Sequence, residues 1–396
     1  MRLPPRASDS AVKTDIAIVG GGLAGASLAA ALRASRFSVA LVEGRVPPPP
    51  PLGWDSRIYA ISPANRRFLE DIGAWAHLDR SRITPVYDME IYGDRGARLD
   101  FSAYAAGVDE LAWIVESGVM QRELWETVKR QSNVALLCPA QPEALHFDAD
   151  AARLTLASGE QIGARLVVAA DGADSWVRRQ AGIAVRVEPY GEMGVVANFS
   201  CQRPHRNKAY QWFLGGSVLA YLPLPGDAIS IVWSAPDAEA QELVTLPAAQ
   251  LCERVAAAAG HRLGKLELLA PAAAFPLRLM RVARTVGPRL ALIGDAAHAI
   301  HPLSGHGINL GFQDACALAQ TLSALPPYRD IGLERELRPY ERGRAEEVLA
   351  LQAVTHALNR LFRPRHGPLA LLRNAGLNLT NRLPVVRNML VRYALG

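Results

Sequence analysis

Hydrophobic periodicity changes twice between residues 15 and 43. Asp15 to Val19 reads as a strand, Leu23 to Ala34 repeats as a helix, and Phe37 to Glu43 reads as a second strand. This order predicts a βαβ opening. Proline lacks an N–H and fixes φ, so the run Pro47 to Pro51 is expected in an exposed excursion, outside any central strand or helix interior. Tyr59 to Ile72 predicts a helix, Met120 to Gln131 an amphipathic helix, and Gln161 to Ala170 a strand ending in Asp171-Gly172.

Between Tyr190 and Trp233 the pattern becomes short aromatic and β-branched runs separated by Gly215-Gly216, Pro223 and Pro225-Gly226, the texture of an antiparallel sheet. A βα pattern returns from Arg289. Leu290 to Ile293 predicts a strand, Gly294 to Gly307 a loop, and Ile308 to Leu325 a helix that Pro326 stops. The α/β unit is therefore discontinuous in sequence. Ile331 to Gly396 is helical in pattern with a break at Arg365 to Pro368.

Composition narrows the class. With 396 residues, 50% apolar and 20% charged, the chain is neither disordered nor collagen-like nor a disulfide scaffold. At roughly 150 residues per domain it predicts two or three packed units. Cys138, Cys201, Cys252 and Cys316 are too dispersed for a CxxC pair or a zinc knuckle, which suits a reducing compartment. The net charge of +5 comes from arginine, since only four bases are lysines, and no nucleic-acid partner is expected. The apolar run Ile16 to Leu32 is 17 residues long and holds four glycines, too short and broken for a membrane span. Met1 to Thr14 lacks a hydrophobic signal core. These features predict a cytoplasmic protein.

Three motifs carry chemistry. In Asp15-Ile16-Ala17-Ile18-Val19-Gly20-Gly21-Gly22-Leu23-Ala24-Gly25, Gly20 allows a tight turn, Gly22 lets a pyrophosphate approach the backbone, and Gly25 permits close helix packing. The helix N-terminus at Leu23 and Ala24 then faces phosphate, and Glu43 closes the second strand where it can accept ribose hydroxyls. This predicts dinucleotide binding. The second motif, Asp171-Gly172-Ala173-Asp174-Ser175-Trp176-Val177-Arg178, could bring a carboxylate and amides to a nucleotide; taken alone, Asp171 reads as a helix cap. The third runs from Ala291 to Gly311. Asp295 ends a strand where it can accept a sugar-like hydroxyl, and a second helix N-terminus follows near Gly307, suited to developing negative charge. Amides from Gly307 through Ile308 to Asn309 suit the charged edge of a reduced isoalloxazine, which argues for FAD over NAD.

With these motifs in this order, the chain resembles the group A flavoprotein monooxygenases of the para-hydroxybenzoate hydroxylase fold, and among them the ubiquinone-biosynthesis flavin hydroxylases. The likeness extends to Asp55-Ser56-Arg57, Gly73-Ala74-Trp75, Leu222-Pro223-Leu224 and the C-terminal helices. It implies a discontinuous Rossmann-like FAD-binding unit (residues 1–75, 111–182 and 281–330), a mixed or antiparallel substrate domain (76–110 and 183–280) and a helical segment (331–396). It further implies that Gly20, Gly22, Gly25 and Glu43 hold the ADP half of FAD. Arg57 and Gln121-Arg122 would contact the cofactor, Gly294-Asp295 the ribityl chain, and the Pro302, Gly305 to Asn309 stretch the ring. Asp171 and Arg178 would belong to a motif shared by FAD and the nicotinamide donor. His306 and the proline run depart from the family pattern.

The implied activity is hydroxylation of the ring of a polyprenylated phenol by a flavin C4a-hydroperoxide formed from O2. The electron donor would be NAD(P)H or a protein such as ferredoxin. No side chain is expected as an obligatory catalyst, and Pro302 and His306 would lie beside the ring. The rivals are an FAD-dependent isoprenoid or quinone reductase without oxygen insertion and a noncatalytic FAD-containing member of a biosynthetic complex.

Other readings compete at single sites. His298, His301 and His306 lack the i, i+4 spacing of a zinc site and no Cys or Glu in their loop completes a shell, so no metal is expected. Asp295, His298 and Ser304 lack a Gly-x-Ser-x-Gly elbow, against a hydrolase triad. Tyr210, Trp212 and Tyr221 suit a lipophilic substrate pocket or a sheet core equally. The segment after Glu347 has seven arginines and no acid; it reads as a solvated helix face, or as a surface for anionic lipid or a partner complex at the inner membrane.

Overall fold

The computed structural model describes residues 12–93, 96–299 and 307–362, with side chains to 357. The chain opens with β1 (Val12–Val19), α1 (Leu23–Ala31) and β2 (Val39–Val42), then β3 (Ile58–Ile61), α2 (Pro63–Asp71), β4 (Thr84–Val86), β5 (Asp88–Tyr92), β6 (Arg98–Ser102) and α3 (Ala103–Ala106). Next come β7 (Ala112–Glu116), α4 (Ser117–Lys129), β8 (Val134–Leu137), β9 (Pro142–Phe147), β10 (Ala152–Leu156), β11 (Gln161–Ala169) and α5 (Trp176–Gln180). A run of strands follows: β12 (Val185–Cys201), β13 (Lys208–Phe213), β14 (Val218–Leu224) and β15 (Ala228–Pro236). After α6 (Asp237–Thr245) and α7 (Ala248–Ala258) come β16 (Leu266–Val282), β17 (Val286–Gly287), β18 (Leu290–Leu292), β19 (His298–Ala299), α8 (Gly307–Ala324) and α9 (Glu334–Phe362).

The first sheet has the order β17-β18-β11-β1-β2-β8 and is parallel from β18 to β8, with β9 and β10 as an antiparallel branch on β11. β1 is central and covered on both faces, which is why Ile16, Ala17 and Ile18 form an unbroken apolar run. Leu28 of α1 and Phe312 and Leu318 of α8 fill one side; Ala17, Val19 and Val177 belong to the other. This is the predicted α/β architecture.

The second sheet, β19-β16-β12-β15-β14-β13-β5-β6, is antiparallel except where β13 runs beside β5. α6 and α7 cover one of its faces. A three-stranded sheet, β3-β7-β4, joins the two larger ones.

One element differs from expectation. Tyr59 lies in β3, paired with Val115 of β7, and the helix begins only at Pro63, where the Ser62 hydroxyl accepts the Asn65 amide and proline occupies the first turn. Strand pairing here overrides a helical sequence pattern. Pro47 to Pro51 are outside regular structure and mostly exposed, as predicted. Among the described residues no helix is long and apolar enough to cross a membrane. The arginine-rich segment from Arg363 onward, and His301, Pro302, Ser304, Gly305 and His306, lie outside the described residues.

Candidate functional site

A cavity of about 550 Å³ opens at the C-terminal ends of the parallel strands, within the size range of small-molecule sites. It draws together most of the sequence-predicted residues. Gly20, Gly22, Leu23, Ala24 and Glu43 line it from the opening βαβ unit, and Arg57, Gln121 and Asp171 from later loops and helices. Gly294, Asp295, Gly307 and Ile308 close it from the far end of the chain.

Each fingerprint glycine has a separate geometric reason. Gly20 has φ +105°, and a Cβ there would stand 2.3 Å from the Ala170 carbonyl oxygen. A Cβ on Gly25 would meet the Gly20 carbonyl at 1.9 Å, so Gly25 seats the helix against the turn and does not line the cavity. Around Gly22 a Cβ would meet none of the described residues within 4 Å. Its missing side chain therefore leaves space for a ligand rather than for protein. Gly22 is also the N-cap of α1 without a side-chain capping bond, so the helix presents amides to the cavity.

Glu43 accepts the Gly21 amide at 2.7 Å and the Arg45 amide at 3.0 Å, one on each oxygen. A carboxylate has further lone-pair directions for ribose hydroxyls. Gln121 and Trp125 of α4 both donate to the Gly21 carbonyl, at 2.6 and 2.8 Å, and fix the turn from behind. Arg122, predicted beside Gln121, is exposed and absent from the cavity wall, because α4 turns it away from the side that carries Gln121 and Trp125.

The Asp55-Ser56-Arg57 loop is tied down at several polar groups. Asp55 Oδ1 accepts the Arg57 amide and Oδ2 the Gly118 amide, while the Asp55 amide donates to Glu116. Arg82 donates to both oxygens of the buried Glu116. Arg57 then reaches the cavity with its guanidinium 5.3 Å from the centroid of the Phe275 ring. Tyr59 and Ser117, which belong to none of the three sequence motifs, line the same wall. Burial first, then the charge of Asp295, raises the Tyr59 pKa, so the phenol remains a neutral donor.

Asp171 combines the capping and ligand-facing readings. Its Oδ2 accepts the Val177 amide at 3.0 Å, and Ser175 caps α5 through the Arg178 amide. Oδ1 is buried and has no partner among the described residues, at a residue that lines the cavity. Arg178, the last residue of that motif, does not line the cavity. It is 4% exposed and donates to the Ala296 and Ala173 carbonyls at 2.8 Å, bracing the Asp171 loop against the Asp295 turn away from the cavity.

Asp295 stands in the recess itself. Its side chain is exposed to the cavity, and the loss of water to the surrounding walls raises its pKa, with His298 and then Arg57 acting in the opposite direction. Behind it, Asp314 on α8 pairs with His298 at 2.7 Å and with Arg344 of α9 at 2.8 Å. Burial disfavours charge on His298 and Asp314, but their mutual attraction prevails: the imidazole pKa is raised and the carboxyl pKa lowered. Asn309, predicted at the flavin ring, spends its side chain on structure. It accepts from the Ser62 amide and Asn65 and donates to the Ala60 carbonyl, fixing the start of α8 to β3 and α2.

The large sheet has two unlike faces. Tyr210, Trp212 and Tyr221 lie on the face covered by α6 and α7, where Trp212 packs edge-on to Tyr221 and the Tyr221 hydroxyl donates to the Val255 carbonyl. They are core, so of the two readings the substrate pocket is the one the packing corrects. Strand alternation gives the opposite face a cross-strand row, Ala273, Val196, Val232, Ala220 and Gln211, in which the first four are only half-buried. Asn198 lies on this face and donates to the Asp55 carbonyl, so the face adjoins the cavity loop.

The family model described as an FAD binding domain matches residues 13–354. The chain belongs to this FAD-binding family. Ubiquinone hydroxylase UbiL of Rhodospirillum rubrum is 35% identical over 384 residues, covering 96% of this chain and 89% of the relative. The 3-demethoxyubiquinol 3-hydroxylase of Escherichia coli is 35% identical over 386 residues, covering 97% and 98%. Among solved structures, PqsL of Pseudomonas aeruginosa, a probable FAD-dependent monooxygenase, matches with a TM-score of 0.76 and 26% identity over 92% of this chain and 99% of that one.

The flavoprotein is thus an FAD-dependent monooxygenase of the ubiquinone-biosynthesis hydroxylase group, as the sequence resemblance implies. The residues present fit FAD: the space beside Gly22, the uncapped start of α1 and the unpartnered Asp171 oxygen each await a polar ligand. Among the described residues no group of His, Cys, Asp and Glu is arranged to hold a metal.

Proposed function

We propose that this flavoprotein hydroxylates the aromatic ring of a polyprenylated phenol or quinol intermediate of ubiquinone biosynthesis, with O2 as co-substrate. Its electrons would come from NAD(P)H or a protein such as ferredoxin. The observation that carries this reading is the contact between the cavity loop and the open face of the large sheet, through Asn198 to Asp55 and Arg57 over Phe275. The half-buried side chains of Val196, Val232, Ala220 and Leu222 offer a lipophilic wall where an isoprenoid-bearing ring can rest.

In this reading Gly20, Gly22, Glu43 and the amides of Leu23 and Ala24 hold the ADP half of FAD, with Gly25 supporting the turn. Arg57, Gln121, Asp171 and the Gly294-Asp295 pair contact its centre. Gly307 and Ile308 bring the first amides of α8 to its charged edge, where a helix N-terminus stabilises negative charge. Pro302, Gly305 and His306 complete the proposed contact set. Bound FAD supplies the activation and transfer of oxygen. The chain orients the ring, excludes water and keeps the Tyr59 phenol protonated beside Asp295. Because such a substrate resides in the bilayer, we place the enzyme at the cytoplasmic surface of the inner membrane, with the arginine-rich segment after Glu347 as its lipid- or complex-facing part.

Quinone profiling of a deletion strain tests the reading. Accumulation of one under-hydroxylated precursor is expected, and an unchanged quinone pool overturns the assignment. Turnover of that precursor under oxygen-18 gas should place one labelled atom on the ring; conversion without label would favour the reductase alternative.

A further inference from the structure

We propose that Asp314 is a positioning residue for the flavin-facing carboxylate of Asp295. Asp314 is 1% exposed and does not line the cavity, yet one of its oxygens binds both flanks of the Asp295 turn. Oδ2 accepts the amide of Gly294, immediately before Asp295, at 2.9 Å. The same oxygen meets Nε2 of His298, three residues after it, at 2.7 Å. Oδ1 accepts Arg344 Nε at 2.8 Å, which fixes the carboxylate from the opposite side.

The held turn has little freedom of its own. Gly294 adopts φ +58°, and a Cβ there would stand 3.1 Å from Cβ of Ala24 in the first turn of α1. Upstream, the Tyr340 hydroxyl donates to the Leu292 carbonyl at 2.7 Å, so α9 grips the end of β18 as well. Asp314 also belongs to α8, whose first residues Gly307 and Ile308 line the cavity. One buried carboxylate therefore sets the Asp295 turn relative to the helix that faces the same cofactor. The His298 imidazole and the Arg344 guanidinium hold this buried carboxylate from two sides, and without Arg344 its charge loses its buried cation.

This inference rests on the family's use of FAD and is independent of which substrate is hydroxylated. The test is a double-mutant cycle on FAD affinity, read by titrating apoprotein with FAD and following flavin fluorescence. Asp314→Asn is expected to weaken FAD binding about tenfold in the wild-type background and less than about twofold when Asp295→Asn is already present. Such loss of additivity marks action through Asp295, whereas a general structural role lowers affinity equally in both backgrounds. Equal losses, or no loss in the single variant, overturn the proposal. If thermal melting shows that apo Asp314→Asn does not fold, Arg344→Lys replaces it in the cycle. That variant keeps the cation but not the guanidinium geometry, and its loss of about threefold should likewise vanish beside Asp295→Asn.

Discussion

Asn198, in the C-terminal half of β12, donates its side-chain amide to the backbone carbonyl of Asp55 at 2.9 Å. The other bonds to Asp55 come from Arg57, Glu116 and Gly118, all close to the nucleotide-binding side, whereas Asn198 reaches it from the large sheet. Asn198→Leu would leave a half-buried carbonyl without its donor, at a cost of about 1 kcal/mol. Urea unfolding of the apoprotein should show this loss, and a variant within error of wild type would mean that the contact does not couple the two parts.

The fingerprint glycines separate binding from folding. Gly22→Ala should leave apoprotein stability within about 0.5 kcal/mol of wild type, because the added methyl meets no protein atom. It should nevertheless weaken FAD binding by about tenfold or more, since the methyl occupies the ligand's approach, a change on the order of 1.4 kcal/mol. Gly25→Ala should impair folding itself, its Cβ lying 1.9 Å from the Gly20 carbonyl oxygen. Paired melting curves and FAD titrations distinguish the two.

The faces of the large sheet make opposite predictions. Tyr221→Phe removes the hydroxyl bonded to Val255 and should cost about 1 kcal/mol of stability with turnover unchanged. Val232→Phe adds bulk to the open face and should raise KM or abolish hydroxylation while FAD still binds. Steady-state kinetics with the accumulated precursor would reveal an exchange of these effects, which would return the substrate to the aromatic face.

Acid sensitivity should be traceable to Glu90. Burial pushes its carboxyl pKa up, but hydrogen bonds from Lys208 and Tyr92 and the charges of Lys208 and Arg262 outweigh this and hold it below the ordinary 4.5. A carboxylate with a depressed folded pKa stabilises fully above its unfolded value and loses that contribution as pH falls through the folded one. Wild type should therefore exceed Glu90→Gln in melting temperature at neutral pH, with the gap closing below about pH 4.5. A gap that stays constant into acid would assign the effect to packing.

The opening βαβ unit was legible because each of its glycines serves a local need, and local needs leave a local pattern. The aromatic strands were legible as strands but not as to side: alternation separates Tyr210 from Gln211 without saying which face α6 and α7 will cover. Pro271 and Pro276 interrupt the pattern of β16, and Tyr59 carries a helical signature that pairing with β7 overrules. The Asp314 cluster leaves no sequence signal at all. Its bonds join Gly294, His298 and Arg344 across separate elements, and buried ion pairs have no characteristic spacing. Likewise Arg178 sits in a motif whose neighbours suggest a ligand, while its two terminal guanidinium nitrogens donate to carbonyls of the chain.

The central strand of the parallel sheet lies near the start of the chain, but its neighbour β11 and the still later β18 are far downstream. During translation β1 must leave the ribosome long before the strands that cover its edge exist. The cradle between Gly20 and Asp295 cannot close until the residues through Asp295 have been made, so cofactor loading waits for strands translated long after β1. Until then, a nascent chain exposes one of its most apolar stretches, Ile16 to Val19, and depends on whatever shields such segments in the cell.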